Sequence, residues 1–184
     1  MLRTTMSSIR ILQYPDPLLK RKAVSVEDVK SPHIQSIIAN MFETLYASEN
    51  CAALAATQLD IPDAPDITVI DISEKKDQPM CLINATILHK EGTTKTPEGC
   101  MSVPFIYEKA ERAEKIQVKA LDQDGNVLDF HADGFLAKCI QHELDHLQGT
   151  LFIDQLSKLK RNRVEKRIEK GMRYQRISET KEQK

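Results

Sequence analysis

Asp133-Gly134-Phe135-Leu136-Ala137-Lys138-Cys139-Ile140-Gln141-His142-Glu143-Leu144-Asp145-His146-Leu147-Gln148-Gly149 is the stretch on which the architecture turns. The spacing predicts a helix from about Phe135 to Gln148. Asp133-Gly134 opens it, and Gly149 stops it, because glycine adopts the left-handed conformation that ends a helix. Within it His142 and His146 stand four residues apart and so share one face, about one turn from each other. Two imidazoles placed this way can bind one divalent metal. Glu143 is adjacent to the first, where its carboxylate can reach a water that the metal activates. This is the logic of an H-E-x-x-H helix: two ligands and a general base. The plainer alternative is two surface or core histidines that happen to sit four apart.

A catalytic metal usually has three protein ligands and an open position. In the extended form of the motif, H-E-x-x-H-x-x-G-x-x-H, Gly149 matches but the last slot is Phe152, which cannot ligate. Asp154, the nearest downstream acid, is too close in sequence to stand on a second helix. The third ligand is therefore expected upstream. The candidate is Cys100, in Pro97-Glu98-Gly99-Cys100-Met101-Ser102. A thiolate is a natural partner for two imidazoles around a divalent ion, and Gly99 lets the backbone turn tightly beside it. Taken alone, Cys100 could also be a small buried hydrophobe or a nucleophile.

Working outward, Ser31-Pro32 offers an N-cap followed by proline at the first helical position. Ile34, Ile37, Ile38, Met41, Phe42 and Leu45 then form one apolar stripe of a helix running to about Ser48. Ile9 to Pro17 reads as a short strand or extended arm followed by a turn, since two close prolines disfavour helix. Ile67 to Ile72 and Cys81 to Asn84 read as strands. Ile116, Val118 and Ala120 alternate with polar residues, Asp122-Gln123-Asp124-Gly125 is a turn, and Val127 to His131 alternate again. Together these predict a β-hairpin. The class is therefore α+β: antiparallel strands and hairpins packed around a central metal-binding helix, with a basic C-terminal helix beginning at Ser157.

The chain has 184 residues, 41% of them hydrophobic and 29% charged, which suits one folded domain and argues against a disordered chain. Residues 1–156 are expected to form a single catalytic domain, with 157–184 part of it or an appendage. No apolar run reaches the ~20 residues that span a bilayer. Met1 to Met6 has no apolar leader core behind it, so a cytoplasmic protein is expected. Cys51, Cys81, Cys100 and Cys139 include no C-x-x-C pair and are expected to be thiols or metal ligands. With no Trp and 5% aromatics, stacking platforms for single strands are not evident, and neither a membrane nor DNA is an expected partner. Charge is unevenly placed: Lys158–Lys184 holds 11 basic and 4 acidic residues, a net +7, on a body of net −8.

Three motifs in order resemble those of the peptide deformylases, G-x-G-L-A-A-x-Q, E-G-C-x-S and H-E-x-D-H. This chain has Cys51-Ala52-Ala53-Leu54-Ala55-Ala56-Thr57-Gln58, then Glu98-Gly99-Cys100-Met101-Ser102, then His142-Glu143-Leu144-Asp145-His146. The resemblance spans nearly the whole chain and is to the bacterial type with a helical tail. It implies hydrolysis of the N-formyl group from formyl-methionine of nascent peptides, releasing formate. It implies a metal held by Cys100, His142 and His146: one divalent ion per chain, Fe2+ in the cell, which Ni2+, Co2+ or Zn2+ can replace. It makes Glu143 the proton carrier, and Gln58 and the Met101 backbone N–H the donors to the oxyanion. Ala52, Ala53, Leu54, Glu98, Gly99, Phe135, Lys138 and Cys139 become substrate-binding residues, and Asp145 is expected to pair with Arg112 to brace the helix. The ribosome near the peptide exit becomes the expected partner of the basic helix. A truncation near Ser157 is expected to keep activity on short peptides while weakening that docking.

Two departures stand out. The motif glycines are Cys51 and Ala53 here, which bears on how closely a peptide approaches. Lys138 stands in the methionine pocket where an aliphatic residue is usual; either its stem packs while the ammonium reaches water, or the pocket is more polar. Rival readings are a zinc metallopeptidase on the same helix, and a catalytically weakened paralogue that binds ribosomes.

Overall fold

The computed structural model describes residues 8–182, with side-chain surroundings described through Tyr174. Met1 to Met6 and the last charges of the tail lie outside these residues. Among the described residues seven strands are formed: β1 (Ala53–Ala55), β2 (Ile67–Ile70), β3 (Met80–Glu91), β4 (Thr94–Cys100), β5 (Val103–Arg112), β6 (Lys115–Leu121) and β7 (Val127–Asp133). A five-stranded sheet runs β1-β2-β3-β6-β7, every pairing antiparallel. The hairpin β4-β5 forms a second, two-stranded sheet.

Helix α1 (Pro32–Ala47) covers one face of the larger sheet. Ser31 Oγ accepts from the Ile34 N–H at 3.4 Å, and Ile37, Ile38, Met41 and Leu45 turn inward as their spacing requires. Helix α2 (Gly134–Leu147) covers the other face through Ala137, Cys139 and Ile140. This double cover explains β2. Ile67 and Val69 pack toward α1, Ile70 packs toward α2, and all four residues are buried, so the strand shows no polar alternation. Thr68 is tolerated there because its hydroxyl donates to the Leu54 carbonyl at 3.1 Å.

The expected helices, the β2 strand and the β6-β7 hairpin are all present. Strand β3, however, continues seven residues past its expected end at Asn84. Asn84 has a φ of 51° at a register shift, and its side chain accepts from Val26 N–H and donates to Val26 C=O. It is a bulge, not a terminus. The exposed half beyond it pairs with β6.

Helix α3 (Lys158–Glu182) packs on β5. Val164 and Ile168 are buried with Leu12, Val103, Ile106 and Phe152 in a third core, and Tyr14 Oη donates to Glu165. Burying two such side chains is worth roughly 1.5–3 kcal/mol each. Leu159 on the same helix faces solvent. A cut at Ser157 would thus uncover part of the third core. Among the described residues no helix is long and apolar enough to cross a membrane.

Candidate metal centre and cleft

The edge strand β1, the hairpin β4-β5 and helix α2 enclose a cleft of about 530 Å³. At its floor Cys100 Sγ lies 3.2 Å from His146 Nε2, which lies 3.2 Å from His142 Nε2. The three ligand atoms all fall within 4.8 Å of one another.

The local structure that brings them together is a ladder. Strand β4 runs alongside α2 in the same direction. Thr96 Oγ1 meets Lys138 Nζ at 3.1 Å, Glu98 Oε2 meets His142 Nδ1 at 3.0 Å, and Cys100 Sγ meets His146 Nε2 at 3.2 Å. Two strand residues advance ~6.8 Å and four helix residues ~6.0 Å, so three rungs stay in step. Cys100 sits at the tip: the hairpin closes through Met101-Ser102, with Cys100 opposite Val103 after a register shift at Gly99.

The donor set fits a divalent cation. Two neutral imidazoles and a thiolate suit zinc or iron, and three ligands are the number that catalytic sites use. Two imidazole nitrogens at 3.2 Å cannot both carry a proton toward each other. Burial and the neighbouring His142 hold His146 well below the ordinary imidazole range. Burial also pulls His142 down, but Cys100, Glu98 and Glu143 outweigh it and raise it. The Glu98 carboxylate orients the His142 ring so that Nε2 faces the other ligands.

Glu98 in turn is held by Arg112, whose Nε and Nη2 donate to its two oxygens at 2.8 and 3.0 Å. Burial works against ionisation of Glu98. Its bonds to His142 and Arg112 prevail and hold it at about 2. Arg112 Nη1 donates to Asp145 Oδ2 at 2.6 Å, so Asp145 and Arg112 are paired, with Glu98 on the other side of the guanidinium. Glu98, expected among the substrate-binding residues, lines the cleft with its carboxylate bonded to Arg112 and His142.

Glu143 is buried, with Oε2 lacking a partner, and burial pushes it up to about 7. Gln58 Oε1 accepts from the Ala55 N–H at 2.8 Å, which orients its amide so that Nε2 faces Ser102 Oγ and Cys100 Sγ. Met101, Gly99, Ala52, Ala53, Phe135, Lys138 and Cys139 all line the cleft. Leu54 does not: strand alternation turns its side chain into the α1 core, where it is fully buried. Ala53, in the place of a motif glycine, has ordinary strand geometry, so its methyl carries no backbone strain. Cys51 donates to the Ala53 carbonyl at 3.4 Å, and burial pushes its thiol up to about 12, which makes it a packing residue.

Further residues shape the site. Gln141 clamps the loop after Arg112, donating to Ala113 C=O and accepting from Ala113 N–H. Phe152, in the slot where a ligand is absent, lays its ring 5.9 Å from the His142 ring. Tyr107 covers Gly99, where an added Cβ would lie 2.5 Å from the ring. Thr96, Glu98 and Cys100 alternate with Lys95, Pro97 and Gly99, which is the one sequence signal that could have revealed β4.

Comparison with known proteins agrees with this geometry. The sequence profile of the family described as polypeptide deformylase matches residues 8–162. The chain is 54% identical over 169 residues to peptide deformylase 1 of Coxiella burnetii, covering 91% of this chain and 99% of that one. Among solved structures, a peptide deformylase from Legionella pneumophila superposes with a TM-score of 0.86 at 38% identity, over 92% of this chain and 98% of that chain. One from Ehrlichia chaffeensis does so with 0.84 at 34%, over 92% and 99%.

Proposed function

The chain belongs to the polypeptide deformylase family and is a metal-dependent deformylase, and from that premise we propose how its residues divide the work. The observation that carries the reading is the convergence of Cys100, His142 and His146, with buried Glu143 beside them at the floor of an open cleft. These three would hold the metal, which we assign as Fe2+ in the cell, replaceable by Ni2+, Co2+ or Zn2+. When bound, a divalent ion there supplies a Lewis acid and lowers the pKa of water toward neutrality.

The substrate is a peptide with an N-formyl-methionine end, lying along the free edge of β1 with its formyl carbon over the floor. Glu143 takes a proton from the attacking water as the C–O bond forms, then delivers it to the amine as the C–N bond breaks. Formate and a free amino terminus result. The Gln58 amide and the Met101 N–H donate to the oxyanion; losing one such donor typically costs ~2.7–4 kcal/mol of barrier. Arg112, Glu98 and Asp145 act through His142, holding its ring in place.

The exposed basic face of α3, with Lys160, Arg163, Lys166 and Lys170, is assigned to docking on the ribosome, an RNA-rich surface that would place the enzyme at nascent chains in the cytoplasm. Because Val164 and Ile168 are core residues, charge reversal of those four side chains is the appropriate test. Ribosome co-sedimentation should weaken and depend less on salt, with formate release from short peptides retained.

The experiment that tests the catalytic reading is formate release from formyl-Met-Ala-Ser by nickel-loaded protein beside Glu143→Ala. Release that disappears in the variant supports it. No release from folded, loaded protein would refute it and favour a disabled paralogue. Cleavage of internal peptide bonds instead would favour the metallopeptidase.

A further inference from the structure

The Lys138 ammonium occupies the third rung of the β4–α2 ladder, four residues before His142 on the face that carries the metal ligands. It lines the cleft, and its partner is the neutral Thr96 hydroxyl at 3.1 Å. Among the described residues it forms no ion pair, whereas the next rung pairs Glu98 with both Arg112 and His142. Lys138 is also the one Lys or Arg among the described residues lining the cleft. The acids that line it are Glu49, Glu98 and Glu143. Glu98 is committed and Glu143 belongs to the reaction. The cleft thus presents a partly desolvated cation whose hydrogen bonds a substrate acceptor can complete.

We propose that Lys138 makes the cleft selective for formylated peptides that carry a carboxylate side chain within their first three residues. The inference rests on the deformylase reading and concerns which formylated peptides are preferred. The acidic body, net −8 outside the tail, disfavours acidic peptides in general, so the preference is local and depends on this one ammonium. Without it, no Lys or Arg among the described residues would line the cleft to favour a carboxylate.

Nickel-loaded protein would be assayed for formate release from formyl-Met-Ala-Ser and from peptides with Glu, Gln or Lys placed in turn at each of the three positions. At one position Glu should exceed Gln by about three- to tenfold in kcat/KM, as expected for one ion pair of intermediate exposure, and the difference should lie in KM. Lys138→Met should abolish the preference, and Lys138→Arg should retain it. In the unmodified protein, high salt should collapse the preference, a readout that does not depend on any variant folding. A Glu to Gln ratio near one at all three positions, or one indifferent to both salt and Lys138→Met, would overturn the inference while leaving the deformylase intact. No formate from any peptide would overturn both.

Discussion

Replacing Arg112 with Met should damage two properties at once, because one guanidinium supports both the fold and a metal ligand. Its side chain is 5% exposed and Glu98 is 9% exposed, so this is a buried pair, with Asp145 at 31% as the wetter arm. Removing one partner of a buried pair leaves an uncompensated charge and costs about 3–5 kcal/mol. For a chain of this size, each kcal/mol lowers Tm by roughly 2–4 °C, so the melt should fall by about 6–20 °C. Glu98 would lose the two bonds that aim it at His142, and metal affinity should fall about 10- to 100-fold. Thermal melts with and without nickel, together with competition against a chelator of known affinity, measure the two effects separately. The double variant Arg112→Met/Glu98→Gln removes the stranded charge and should regain more than half of the lost stability, without regaining metal affinity. If the single change costs under about 1 kcal/mol, or if the two costs simply add in the double variant, the account of Arg112 as a buried counter-charge is wrong.

Other outcomes follow from the same geometry. Gly149 has a φ of 72°, and a Cβ there would run into the Lys20 carbonyl, so Gly149→Ala should destabilise by about 2 kcal/mol in urea titration. On α3, Ile168 is 2% exposed and Leu159 is 64% exposed; Ile168→Ala should cost about 2–4 kcal/mol and Leu159→Ala within about 0.5. Burial works against ionisation of Asp154, but Lys20, the Leu151 N–H and Arg161 outweigh it and hold its carboxyl below the ordinary range. Its contribution is therefore present above the unfolded value near 3.9 and lost as the pH falls through the lower folded value. Stability of Asp154→Asn measured from pH 5 to 2 should accordingly fall less steeply than that of the parent.

The elements that were legible are those whose burial is organised by their own periodicity. Helix α1 carries a complete apolar stripe, and β6-β7 alternates around an Asp-Gly turn. In α2 the two histidines are set four apart by the helix itself. The hairpin β4-β5 was not read, because the inward face of β4 is Thr96, Glu98 and Cys100, which meet Lys138, His142 and His146 and not a hydrophobic layer. A strand whose inner face is polar leaves no hydrophobic signal. The pattern ends β3 at Asn84 because that residue bulges out of the ladder and most of the residues beyond it are exposed, and it leaves α3 open as part of the domain or an appendage because two buried residues are a weak stripe among many charges.

The local sequence by itself determined the chemistry available: two imidazoles and a carboxylate on one helical turn, and a cysteine poised beside a glycine. It also determined the α+β class, since helical and strand periods are properties of the chain next to itself. Only the tertiary structure decided what each group does. It matched a strand repeat of two to a helix repeat of four, set Glu98 against both His142 and Arg112, sent Leu54 into the core and, among the described residues, left the Lys138 ammonium in the cleft without an ion pair. Those assignments depend on which residues from distant segments are taken out of water together, and that is settled by packing between elements, not by the pattern within any one of them.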